Sequence, residues 1–452
     1  MADARQTSDA RSQSIPLSDC KAGDKAEPRI HDPNMAAELT YNRFMHHTIM
    51  DCSLQANPIS PTRLALVKSS HNPMRPVLRL AVCVTLVATA AHTLLSQKQS
   101  PKQKKEEELP TQVLELPQEP PLAVAVDTAR LSFLVSPTYA RGLLSQQIRD
   151  ALRALLAQAG QASIVKIRAF VAGSGDSRRV AAIVSETFTE RRQPLPAVTT
   201  VQVGALPGAG VQVVLEAAAL SRRRLNPSGL AWSAAFAAEQ NALTSRMLPL
   251  VRRLLPEIKS ALSGAGLGGR DALALTCYLS SLDDVWDVRS VLAAEFPAAV
   301  LNLVQPERAP YRSSVACEAV LRLNSEIAAE NGWRAIRTAQ PRQLEAGSDL
   351  VLVSSPQVIL TGAQLAFGLE EKDAKLAFQR LERTLAQHHS SLKQAVALKH
   401  FVLSRGIGRQ AVRAVSDFLA EEKLPTIAVI PCVGLPALDV SFAVEAVAVP
   451  AK

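Results

Sequence analysis

The chain has 452 residues, of which 47% are hydrophobic and only 4% aromatic, so several small domains can bury cores built from Ala, Leu and Val. The formal net charge is +9, but the basic residues are not interleaved with aromatics; the densest cluster, Arg222, Arg223 and Arg224, runs into Asn226-Pro227 and reads as a solvated loop, so no nucleic-acid partner is expected. Six cysteines (Cys20, Cys52, Cys83, Cys277, Cys317 and Cys432) fall in no CxxC or His-paired spacing, which argues against a zinc site and against a disulfide-dense scaffold.

Residues 1–73 carry no sustained periodicity and read as a disordered extension. From Met74 two arginines, Arg75 and Arg79, lead into an uncharged run from Leu80 to Leu95, with Ala88-Thr89-Ala90 where a peptidase could cut. That is the layout of a secretory leader over 74–96, with 77–95 as a membrane anchor if it stays uncleaved. Because a leader begins near the initiator, the layout predicts a start at Met74 and an untranslated 1–73. The expected location is outside the cytoplasm, exported or membrane-anchored. A Lys/Glu/Gln/Pro linker follows, giving a linker over 97–122.

Three units follow, at 123–221, 226–324 and 348–450, with a polar linker over 325–347. Each reads as strand, long helix, strand, second helix and two closing strands. In the first, Arg130 to Val135 is strand-like. Leu144, Ile148, Leu152 and Leu155 mark one helical face ended by Gly160. Val165, Ile167, Ala169 and Val171 alternate with Lys166, Arg168 and Phe170 in a strand. A helix over about 177–189 and strands at 198–203 and 211–218 complete the unit. The second has its long helix at about 250–262, kinked at Pro256 at a cost of about 3 kcal/mol if unrelieved. A strand at 272–279, a helix capped by Asp283 or Asp284 and a closing strand at 314–321 follow. The third opens on a strand from Gln357 to Gln364. Asp373 precedes a helix carrying Ala377, Leu381 and Leu385, then come a strand at 395–403, a helix at 408–421 and a closing strand at 441–449. His388 and His389 are neighbours on that helix's end and do not face one ligand. Each closing strand holds the same dipeptide: Glu216-Ala217, Glu318-Ala319 and Glu445-Ala446.

These segments resemble the RidA/YjgF family. Val358 to Gln364 is similar to the strand that opens a family subunit, Ser145 to Gly160 to its long helix, Cys277 to Asp284 to its strand-to-helix step, and Val201 to Pro207 with Val211 to Ala219 to its last strand pair. The resemblance implies an α/β (α+β) fold of three chorismate-mutase-like units forming an intramolecular pseudo-trimer. The chain would then be a monomer with internal pseudo-threefold symmetry. Active members hydrolyse enamines and imines to keto acids and ammonia, using an arginine that grips the substrate carboxylate and a glutamate or held water for proton transfer, with no metal or cofactor.

Carried over residue by residue, the arginine position holds Val198, Leu301 and Ile427, and the catalytic-glutamate position holds Val214, Ala316 and Ala443. Glu216, Glu318 and Glu445 match the structural carboxylate instead. No catalytic residue is therefore assigned. Arg308 and Arg312 are the candidate ligand-binding residues that could replace the missing anchor. The expected function is a catalytically degenerate RidA-like protein that binds a small molecule or a protein partner at inter-unit clefts. The alternative is an active deaminase with a rearranged site. Ribonuclease activity ranks last, since no His pair or Lys-rich groove is present.

Overall fold

The computed structural model describes residues 118–173, 175–329, 331–337, 347–420 and 423–451. The 1–73 extension, the 74–96 leader with its 77–95 anchor, Cys20, Cys52 and Cys83, most of the 97–122 linker and part of the 325–347 linker lie outside them.

The first elements are β1 (Ala123–Asp127), β2 (Leu131–Val135), α1 (Leu144–Ala159), β3 (Ser163–Ala172), α2 (Arg179–Glu190), β4 (Ala197–Val203) and β5 (Val213–Leu220). Next come β6 (Leu230–Ser233), β7 (Phe236–Gln240), α3 (Leu248–Gly264), β8 (Ala272–Leu279), α4 (Val285–Glu295), β9 (Val300–Val304), β10 (Ser313–Arg322) and β11 (Trp333–Ile336). The last are β12 (Leu350–Val353), β13 (Gln357–Thr361), β14 (Gln364–Phe367), α5 (Glu371–Ala386), β15 (Ala395–Val402), α6 (Arg405–Ser416), β16 (Thr426–Pro431) and β17 (Val440–Ala448).

Among the described residues these strands form three mixed sheets in an α/β fold, and one strand order recurs. It is β2-β5-β3-β4 in the first sheet, β6-β10-β8-β9 within the second and β13-β17-β15-β16 within the third. In each, the middle pair is antiparallel and the last pair parallel, the parallel step being the crossover that needs a helix. Two strands pair outside their own stretch of chain. β1 lies antiparallel to β13, and β12 lies antiparallel to β6.

Each sheet packs one face on two helices. In the first, Leu144, Ile148, Ala151, Leu152 and Leu155 of α1 meet Ile167, Ala169 and Val171 of β3. Gly160, at φ +57°, ends that helix and donates its N–H to Leu156 O. The second and third sheets build comparable cores with α3 and α4, and with α5 and α6. Truncating a buried leucine such as Leu152 to alanine costs roughly 2–5 kcal/mol. The opposite sheet faces are also buried, in two cores that draw on all three sheets.

Several local expectations are corrected. The third opening strand divides at Gly362-Ala363 into β13 and β14. α3 runs unbroken through Pro256, which sits on its exposed side. Asp284 stands at the start of α4, but its carboxylate accepts from Met247 N and Leu248 N (2.8 and 2.9 Å), so it caps α3 instead. Asp373 lies inside α5 and accepts from Glu370 N. Cys277 and Cys317, for which the spacing gave no pairing, form a disulfide because they stand opposite one another on β8 and β10.

Candidate functional site

The strand register sets out the site in layers. Opposite Glu216, Glu318 and Glu445 on the closing strands stand Arg168, Thr276 and Lys399. Two residues further along β3, β8 and β15 stand Phe170, Tyr278 and Phe401, facing Val214, Ala316 and Ala443. In the other direction Phe133, Trp232 and Leu360 of the opening strands face Ala218, Val320 and Val447. A charged layer thus lies between two apolar ones.

The charged layer is continuous across the three sheets. The Arg168 guanidinium pairs with Glu216 (Nη1 to Oε2, 2.5 Å) and with Glu445 (Nε to Oε1, 2.8 Å). Lys166 Nζ pairs with Glu445 at 2.9 Å and donates to Thr199 Oγ1 and Thr361 O. Thr199 donates to Glu445 as well, at 2.6 Å. Glu216 accepts from Thr276 Oγ1 (2.5 Å) and Asn302 Nδ2 (2.7 Å) of the second sheet. Glu318 takes Lys399 Nζ of the third sheet (2.5 Å) and the Tyr278 hydroxyl (2.9 Å). The pairing is cyclic: the second sheet serves the first, the third serves the second, and the first serves the third.

Three cations balance three carboxylates, and the electrostatics follow. For Glu445, burial opposes ionisation, but Arg168, Lys166 and Lys399 outweigh it and hold the carboxyl far below the ordinary range. Glu216 is lowered in the same way: burial opposes ionisation, but Arg168, Lys399 and the hydrogen bonds from Thr276 and Asn302 together outweigh it. Burial brings Lys166 down to about 8 although Glu445 works against the shift. Burial opposes the Arg168 charge too, yet Glu445 and Glu216 hold it well above its ordinary value. Burial and Glu318 push the Tyr278 hydroxyl up.

Between the charged layer and the Phe133, Trp232 and Leu360 layer lies a cavity of about 110 Å³, walled by residues of all three sheets. Every cation on its wall is already committed to a carboxylate, so no guanidinium is left to clamp a ligand carboxylate there.

The arginine-position residues occupy one register: Val198 pairs with Ile167, Leu301 with Leu275, and Ile427 with Leu398. All three side chains pack into the helix-side core of their own sheet. Val198 is backed by the third sheet, for a Cβ on Gly362 would stand 2.9 Å from Val198 O. The catalytic-glutamate positions face the aromatic layer. Arg308 is exposed in the loop after β9. Arg312 is spent on Glu239 (2.9 Å), a carboxylate it shares with Arg405 (3.0 Å). The exposed Tyr311 ring lies under both guanidinium groups. The structure therefore brings neither Arg308 nor Arg312 into the central layers. The residues that do meet there, Lys166, Arg168, Thr276 and Lys399, are not singled out as site residues by the sequence; the signal for them is their shared strand position opposite the Glu-Ala dipeptide. Among the described residues no group of His, Cys, Asp and Glu side chains is arranged to hold a metal ion.

Residues 141–221 match the family described as Endoribonuclease L-PSP. No curated protein matches the chain. Among solved structures, NMB1025 of the YjgF family from Neisseria meningitidis is 16% identical, covering 27% of this chain and 99% of its own, with a TM-score of 0.20. YEO7 from yeast is 18% identical over 26% of this chain and 98% of its own, at a TM-score of 0.20. A chorismatase is 10% identical over 72% of this chain and 99% of its own, at 0.22.

Proposed function

We propose that this chain, which carries a RidA/YjgF-family segment at 141–221, is a covalent pseudo-trimer that no longer hydrolyses imines and works as a binding protein for a small molecule or a partner. One observation carries the loss of chemistry. Val198, Leu301 and Ile427 hold the family's arginine position in the same register, Leu301 and Ile427 buried in apolar cores and Val198 half-buried against one. An aliphatic side chain cannot grip a carboxylate, and a bidentate arginine in a desolvated cleft is worth several kcal/mol to such a reaction. The cyclic pairing around Glu216, Glu318 and Glu445 supports closure of the three units on one another.

The test is keto-acid release from 2-imino acids generated in place by an amino-acid oxidase. Release at the uncatalysed rate is expected. The alternative, a deaminase with a rearranged site, would need Arg308 or Arg312 as anchor. Turnover abolished by Arg308→Ala or Arg312→Ala would establish that alternative. The engagement of Arg312 by Glu239 weighs against it.

The same reading places the bulk of the chain outside the cytoplasm, exported or held by 77–95. The buried Cys277–Cys317 disulfide supports an oxidising compartment. No helix among the described residues is long and apolar enough to cross a membrane. N-terminal sequencing of the native protein tests the leader: a mature terminus after residue 88 supports export, and peptides from 1–73 would overturn a start at Met74.

A further inference from the structure

The three carboxylates of the charged layer are not equally filled. Glu445 has both oxygens occupied, Oε1 by Arg168 and Oε2 by Thr199 and Lys166. So has Glu216, Oε1 by Thr276 and Asn302 and Oε2 by Arg168. Glu318 takes both Lys399 and the Tyr278 hydroxyl on Oε1, and its Oε2 has no hydrogen-bond partner among the described residues. The strand register gives the reason. Thr199 stands opposite Arg168, Asn302 opposite Thr276 and Ala428 opposite Lys399, at one position of the three parallel pairs. Thr199 and Asn302 each donate to the carboxylate of a neighbouring sheet, and the Ala428 methyl cannot. Lys399 is underused as well, with one carboxylate oxygen where Lys166 has three partners. Glu318, Lys399 and Ala428 all line the central cavity of about 110 Å³. The Lys399 and Glu318 side chains keep 17% and 7% of their surface accessible, and Oε2 is not one of the sealed polar atoms. A buried carboxylate oxygen left without a donor is disfavoured, and natural proteins fill such positions with an internal group, a water or a ligand.

We propose that the central cavity binds a small neutral molecule with one hydroxyl on an apolar ring, a phenol or a cyclic alcohol. The hydroxyl supplies to Glu318 Oε2 the donor that Ala428 lacks. Its lone pairs accept from Lys399 Nζ, so a single oxygen serves both groups. The ring lies against Phe133, Trp232 and Leu360 on the opposite wall. Glu318 and Lys399 are held by their ion pair and by Tyr278, so the polar end of the site is fixed before binding. Three cations already balance three carboxylates, so a charged ligand would unbalance the layer. A second hydroxyl would meet the apolar wall without a partner. An apolar cavity of about 150 Å³ takes up one benzene ring, so this one admits a single ring at most. Phe133, Ala274 and Val300, on the seam where β2 meets β8 and β9, are only half-buried and give such a molecule a way in. The inference deepens the binding reading by naming the ligand class of the cavity between the sheets; it rests on that reading but not on the loss of hydrolysis.

Calorimetric titration of the full chain with phenol and cyclohexanol tests it, with benzene, benzoate and benzylammonium as controls for the ring alone and for either charge. Saturable binding of at least one of the two alcohols is expected, with benzene roughly tenfold weaker or more and neither ion bound. Ala428→Ser places an internal hydroxyl at the register position of Thr199 and should weaken binding of the alcohol by a similar factor. The unliganded Ala428→Ser protein should melt no lower than the parent, since Glu318 gains the donor it lacks. Four results would overturn the proposal: no heat from either alcohol, which would leave the cavity to water; benzene bound as tightly as phenol; tighter binding of either ion; or an affinity unchanged in a folded Ala428→Ser protein. The comparison of phenol with benzene uses the parent alone, so it decides the matter even if the variant does not fold. A protein inert both to imines and to these alcohols would lose this ligand class and keep the non-catalytic reading.

Discussion

Arg168 on β3 and Glu445 on β17 stand 277 residues apart in the sequence and share a buried ion pair, Nε to Oε1 at 2.8 Å. The same guanidinium holds Glu216 of its own sheet. One side chain thus ties the first sheet to the third while the second sheet reaches Glu216 through Thr276 and Asn302. Buried charge on this scale adds little net stability over a well-packed apolar core. Its strength is in the penalty for any arrangement that leaves a member unpaired, which fixes how the sheets meet.

Replacing Arg168 with Met should therefore cost about 3–5 kcal/mol at neutral pH, because Glu216 and Glu445 are left buried without their main cation. The pH dependence gives a second reading. Both carboxyls are depressed in the folded parent, so their contribution is present above the ordinary carboxyl value of 4.5 and is lost as pH falls through the lower folded values. The variant lacks that contribution, so its deficit should narrow as pH drops below 4.5. Urea unfolding across pH checks this; a deficit that stays constant would mean the cluster is not ionised as described.

The Cys277–Cys317 bond spans a sequence separation of 40 residues and joins two buried positions on paired strands. On the chain-entropy account, closing such a loop stabilises by roughly 4 kcal/mol. The double variant Cys277→Ala with Cys317→Val should lose stability of that order in non-reducing buffer and be indifferent to reductant. Thiol counting on the unfolded parent is the direct check: one reactive pair appearing only after reduction is expected, and its presence beforehand would refute the bond.

His400 is fully buried in the third core, with its ring against Phe378 and Phe442 and neither nitrogen hydrogen-bonded among the described residues. Burial pushes its pKa down from 6.5 to about 3. The folded state therefore keeps the ring neutral while the unfolded chain takes up a proton below pH 6.5. Stability conferred by neutrality is present above 6.5 and falls with pH down to about 3, by up to about 1.4 kcal/mol per pH unit. His400→Leu should flatten that part of the stability–pH curve. An unchanged slope in the variant would show that other groups control it.

Much of this architecture is legible in the residues. The helix faces built on Leu144, Ile148 and Leu152, or on Ala377 and Leu381, are read directly from their spacing, because one face of each helix meets a core and the other meets water. The repeated Glu-Ala dipeptide marks the closing strands, and Val198, Leu301 and Ile427 do share a register. What escapes is whatever depends on contacts between distant stretches. The alternation of Lys166 and Arg168 with Ile167 and Ala169 states a period of two. It does not state that the polar side is buried as well, since the balancing carboxylates come from elsewhere in the chain. β1 reads as part of the segment it precedes, whereas hydrogen bonding gives it to β13. Asp284 reads as the cap of the helix it adjoins, yet the amides it serves are 36 and 37 residues away.

Assembly provides the last prediction. A separate unit would expose the inner face of its sheet, which here holds Phe170, Tyr278 or Phe401 beside a charged residue or Thr276. Such a face must be covered, and in this chain the other two sheets cover it. Linkage in one chain keeps the three faces at high effective concentration, so closure within a chain outcompetes association between chains. The inner faces are also no longer interchangeable: Arg168, Thr276 and Lys399 differ, so a second copy could not replace a unit without misplacing charge. Light scattering on the chain from Thr111 onward should give the mass of one copy, with no shift towards larger species on concentration. Arg168→Glu, which would set a third acid beside Glu216 and Glu445, should unfold the protein and not merely change its mass. A species of three chains in the parent would mean that the sheets pair between molecules, and the pseudo-trimer would have to be abandoned.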